Sequence, residues 1–157
     1  LARLSDDTLF PGEGFLNQAY ATACRAALWL YHDFLDQAHE ISQELDDAAG
    51  AYWHAIMHRR EPDPSNAKYW FRRVGHHAIF PQLLADSQEL ASGFQQAPAA
   101  RQLARMGAWD PLAMVDWCAA VQRGEPADQA LCEAIQLREW ELLFAECYQR
   151  ATGRGIG

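Results

Sequence analysis

Lysine occurs once in this sequence, at Lys68, and no histidine follows His77. Basic residues are scarce overall: 13 Lys and Arg stand against 21 Asp and Glu, a formal charge of -8. So acidic a chain has no general attraction for phosphate, and nucleic acid is not an expected partner. Cysteines at ribbon spacing are missing too. Cys24, Cys118, Cys132 and Cys147 form no C-x-x-C pair, which excludes a zinc ribbon and a compact disulfide scaffold and makes them small buried apolar residues. No apolar run approaches the roughly 20 residues needed to span a bilayer, so a membrane is not an expected partner either. The opening LARLSDDTLF has no basic segment leading into a long apolar one, and the expected compartment is the cytoplasm. Alternating strand patterns are absent. So are G-x-S-x-G, a phosphate-cradling glycine loop and a dinucleotide fingerprint, which leaves the common hydrolase, kinase and oxidoreductase templates without their marks.

What remains is helical periodicity. A chain of 157 residues, 50% hydrophobic, is expected to form one domain over 1–157. Residues 1–14, with Pro11, Gly12 and Gly14, predict an irregular lead-in. From Phe15 to Leu45 apolar residues recur in steps of three and four without internal Gly or Pro, predicting one long helix or two. Further helices are expected over about 48–60, 64–74 and 81–94, from Pro98 towards Gly107, from Pro111 to near Gly124, and over 126–151 closed by Gly153. Asp63-Pro64 and Asp110-Pro111 each read as an N-cap followed by a first-turn proline. The fold class is therefore all-α, an irregular bundle of about six or seven helices. Within it, residues 48–77 form an αα-hairpin whose Ala67-x3-Phe71 spacing is similar to one tetratricopeptide or Sel1-type unit. A single copy cannot build a repeat array, which needs about three.

The chemistry concentrates in that hairpin. Of 6 histidines, His54, His58, His76 and His77 lie in it, and between His58 and His77 five Lys or Arg meet two acids, a local charge of +3. A positive patch in an acidic protein suits a small anion. His54, His58 and Glu61 fall on one helical stripe, and a His-x3-His pair is the spacing at which two imidazoles on a helix bind one metal. A second stripe, His32, Asp36 and His39, lies on the preceding element. If the two elements are antiparallel neighbours, Asp36 and His39 complete a coordination sphere with His54 and His58 around a divalent metal, the candidate cofactor. The same His54, His58 and Glu61 are the candidate catalytic acid-base groups. Neither H-E-x-x-H nor paired Glu-x-x-His is present, so no established metal motif applies.

Arginine supplies a second reading. Tyr69, Arg72, Arg73 and His76 share one side of the next helix, where guanidinium forks can bind an anion, Tyr69 and Trp70 can wall a planar ligand, and Asn66 stands in the first turn. The plainer readings are histidines stacked within an aromatic core, and Glu61 and Asp63 pairing with the arginines to lock the hairpin. The stretch Tyr52 to His77, YWHAIMHRREPDPSNAKYWFRRVGHH, resembles one shared by a group of small proteins of bacteria and fungi; the resemblance implies that the stretch matters in that group and carries no activity with it. Two functions remain open: a polar His/Arg pocket for a small anionic or metal-bound ligand, with acid-base catalysis open to it, or a non-catalytic interaction module presenting the hairpin to a partner chain.

Overall fold

A computed structural model of the chain describes residues 5–10, 15–125 and 128–155. The described residues form nine helices and no strand: α1 (Asp6–Leu9), α2 (Gln18–Tyr31), α3 (Leu35–Ser42), α4 (Ala48–Arg60), α5 (Pro64–Val74), α6 (Phe80–Ala91), α7 (Pro98–Leu103), α8 (Pro111–Gln122) and α9 (Gln129–Thr152). The all-α class is as expected. None of these helices is long and apolar enough to cross a membrane.

The fold is built around α4. Every residue from Ala49 to Arg59 is buried, because α5, α3, α2 and α8 all pack on it, with α5 making the largest contact. A helix enclosed on all sides shows no amphipathic stripe. Asp47 caps its start, accepting the Gly50 amide at 2.8 Å. Gly50 lies within the first turn, where a Cβ would come within 2.5 Å of the Leu45 carbonyl oxygen; only glycine lets the entering chain run this close. The α4–α5 hairpin closes as expected. Asp63 accepts the Asn66 amide at 3.1 Å, Pro64 opens α5, and Ala67 and Phe71 are buried together, with Phe71 edge-on to Tyr52 at 5.4 Å.

The expected helix over 15–45 is broken between α2 and α3, and the break is a Schellman motif. Asp33 takes the left-handed conformation, φ 66. The Phe34 amide donates to Trp29 O at 2.9 Å and the Asp33 amide to Leu30 O at 3.1 Å, satisfying carbonyls the helix end would leave orphaned. Phe34 packs edge-on against Trp29 at 5.2 Å, the hydrophobic contact that accompanies this motif. Aspartate tolerates left-handed geometry better than most residues, so the chain turns here without glycine. From α4, Arg60 reaches Asp33 at 2.6 Å.

Other boundaries shift slightly. The lead-in contains one helical turn, α1, with a Ser5–Thr8 capping box; its Pro11, Gly12 and Gly14, and the Pro126 expected to open the last helix, lie outside the described residues. The long α9 packs on α2, α6 and α8 and ends at Gly153, φ 74.

Candidate metal centre

His54 and His58 are one turn apart on α4, and because α4 is enclosed both are buried, 3% and 8% exposed. Their rings lie nearly parallel with centroids 4.8 Å apart. The turn at Asp33 carries α3 back across α4, so that His39 sets its ring edge-on to His54 at 4.7 Å and to His58 at 5.5 Å. One nitrogen from each of His39, His54 and His58 lies within 4.8 Å of the others. On the far side, Trp70 of α5 stacks on His54 at 4.0 Å, and the Arg73 guanidinium lies over the Trp70 ring at 5.2 Å.

Polar satisfaction within the cluster is uneven. His58 Nδ1 lies 3.2 Å from Glu61 Oε2, which leaves Nε2 as its free nitrogen. In known zinc sites a carboxylate on the second ring nitrogen orients the ligand in this way. Neither ring nitrogen of buried His54 has a hydrogen-bond partner among the described residues, and leaving a buried polar group unpaired costs about 1–3 kcal/mol. Burial, then the neighbouring His58 and His39, depress the His54 pKa to about 4. Burial also lowers that of His58, against the opposing pull of Glu61. Both imidazoles are thus neutral at neutral pH, the form that ligates metals. Tetrahedral zinc ligands stand about 3.3 Å apart, and the three ring nitrogens lie within 4.8 Å of one another.

Of the expected metal ligands, His39, His54 and His58 converge, while Asp36 is exposed on α3 and stands outside the cluster. His32, at the end of α2, is exposed as well. The third histidine arrives on a separate helix, so His32, Asp36 and His39 do not form one stripe. Glu61 stands beside His58 as expected. The anion-binding set is distributed otherwise. Asn66 donates its side-chain amide to Asp63 at 2.8 Å, Tyr69 is half exposed, and Arg72, Arg73 and His76 are exposed. Trp70 walls the histidine cluster rather than a separate pocket. The plainer expectation that Glu61 and Asp63 pair with the arginines is not realised: they turn to His58 and to the start of α5.

Sequence reasoning missed two features. Arg59 is buried and pairs with Glu139 of α9, whose other oxygen accepts from Tyr52 at 2.9 Å. Burial opposes the Arg59 charge, but Glu139 more than offsets it and the Arg59 pKa is raised. The signal was there: Glu139 interrupts the otherwise apolar four-residue series Leu131, Ile135, Leu143, Cys147 and Ala151, all buried on α9. The second is a cavity of about 430 Å³ between α2, α4, α8 and α9, lined among others by Ile56, Cys118, Cys132, Leu137 and Trp140. None of the expected ligand-binding residues lines it.

Fold and site together define an all-α protein with a three-histidine cluster, two of its rings buried and His39 half-buried, where α3, α4 and α5 meet. No family model, curated protein or solved structure matches the chain.

Proposed function

We propose that the chain binds a divalent transition metal through His39, His54 and His58, with Glu61 orienting His58 and with a fourth coordination position left for water or a small anion. The observation that carries this reading is the buried His54 ring with both nitrogens unpartnered, facing two further histidines. Metal ligation would satisfy one of these nitrogens and offset the cost of burying the ring. A set of neutral imidazoles suits zinc, copper, nickel or iron more than calcium or magnesium, which prefer oxygen. Three histidines around an open position are the ligand set of a catalytic rather than a structural zinc site, and the ion there would supply Lewis acidity. Arg73, held over Trp70 beside His54, is a cation suited to an incoming anion. In this reading His54 and His58 are ligands first, and Glu61 is the group fit to move a proton.

The test is the metal content of protein purified without an affinity tag, followed by cobalt titration of the metal-free protein. Stoichiometric metal and a tetrahedral cobalt spectrum, both lost in folded His54→Ala and His58→Ala and weakened in His39→Ala, are the expected results. Absence of metal and of any cobalt spectrum in the folded wild type would sink the proposal.

A further inference from the structure

The cavity between α2, α4, α8 and α9, about 430 Å³, has the size that small-molecule sites occupy. None of His39, His54 and His58 lines it. One buried apolar residue from each helix does: Leu30, Ile56, Cys118 and Cys132. Tyr31 and Leu137 line it as well, although they are 54% and 49% exposed. Beside them is Trp140, whose ring meets that of Tyr31 at 4.9 Å and whose Nε1 donates to Ala27 O at 3.0 Å, which fixes the indole. Exposed apolar side chains gathered around a concavity are surface that the apolar body of a ligand can cover.

Charge decides the kind of ligand. Arg60 lines the cavity, but its guanidinium is taken by Asp33 at 2.6 Å and by Leu30 O at 3.3 Å. Glu133 lines it too and accepts only from the neutral Gln129 side chain, at 2.9 Å, with no cation paired to it among the described residues. The cavity therefore carries one uncompensated negative charge together with two aromatic rings, and both attract a cation. Glu133 and Trp140 are seven residues apart on α9, about 10 Å along the axis. A matching ligand has its ring and its charge separated by a short chain.

We propose that this cavity binds a small arylalkylamine, its aromatic ring against Trp140 and Tyr31 and its ammonium group, at the end of a short alkyl arm, held by Glu133. The arm covers Leu137 on the way. The site shares no residue with the proposed metal centre, so it stands or falls separately from the metal reading.

The experiment is calorimetric titration of the protein with tryptamine and, separately, with indole-3-acetate, which carries the same ring and the opposite charge. Two-dimensional NMR locates the binding. Saturable one-to-one binding of tryptamine is expected, with shifts at the Trp140 indole N–H and the Leu137 methyl groups, and with indole-3-acetate at least about tenfold weaker. Glu133→Gln should weaken tryptamine about tenfold, and Leu137→Arg, which sets a cation at the exposed edge, should weaken it further. Glu89→Gln removes the same charge from α6, outside the cavity, and should change nothing. The proposal is overturned if tryptamine does not bind, or if the two indoles bind equally. It is also overturned if Glu133→Gln and Glu89→Gln have the same effect, because attraction to the net negative charge of the chain would then account for the binding.

Discussion

Two buried polar clusters lie on the same helix, and α4 treats them differently. Towards α9, Tyr52 and Arg59 converge on Glu139, so that one carboxylate answers both a hydroxyl and a guanidinium. Towards α3 and α5, His54 and His58 meet His39, Trp70 and Glu61, and the His54 ring is left without a hydrogen bond among the described residues. The first cluster has its opposite charge built in, although Arg59 Nε and Nη1 have no acceptor among the described residues. The second gathers three imidazoles, of which His58 has Glu61 beside it and His54 has no hydrogen-bond partner among the described residues. Buried polar groups that serve only the fold are generally satisfied within it, and the unpartnered His54 ring is the observation on which the proposed metal site rests.

The comparison is broken most severely on the α9 side. Glu139→Ala leaves the Arg59 charge buried without its partner and should destabilise the fold by about 3–5 kcal/mol, read from urea denaturation. Acid should act on the other cluster. Because the His54 pKa falls from 6.5 to about 4 on folding, the unfolded chain binds more protons between these values. The His54 contribution is therefore fully present above pH 6.5 and declines as pH falls towards 4, by up to about 3 kcal/mol. Thermal unfolding of the metal-free protein across this window should show a steeper loss for wild type than for His54→Leu. Next comes Tyr52→Phe, which deletes a hydrogen bond to a charged carboxylate and should cost about 1.5–3 kcal/mol. The smallest effect has the opposite sign: at neutral pH, His54→Leu replaces an unsatisfied ring by an apolar group of similar volume and should leave the metal-free protein as stable or about 1 kcal/mol more so. If His54→Leu instead costs as much as Tyr52→Phe, the histidine cluster is a packing element like its counterpart and the contrast disappears.

Most of the helical scaffold was legible in the chain, since its signals are local. Asp63-Pro64, Asp110-Pro111 and Gly153 mark ends through their own backbone chemistry, and the structure places helix termini there. The break at Asp33 was not legible as a definite stop, because aspartate in a left-handed position lacks the glycine that usually announces one. That turn decides which histidines meet. The His-x3-His pair could be read from one helix, whereas the choice of His39 over Asp36 depends on how α3 crosses α4, and no spacing within the sequence fixes a crossing. Arg59 was counted only among the basic residues of the hairpin for the same reason: its partner Glu139 lies 80 positions away, conspicuous only once the apolar series around it is recognised as one face of α9.

The turn between α2 and α3 also bears on how tightly a metal could be held. Two of the three histidines are fixed by the central helix, but the third is delivered by an eight-residue helix attached through a corner and pinned to α4 by the Arg60–Asp33 pair. If the proposed site holds a metal, its affinity and the docking of α3 would be one linked equilibrium. On the proposed reading each opening of α3 would remove a ligand, and an ion held by His39 would act as a clasp on the short helix. Amide hydrogen exchange should record this coupling, with zinc slowing exchange across α3 well beyond any change in α6 or α7, and with His39→Ala abolishing the difference.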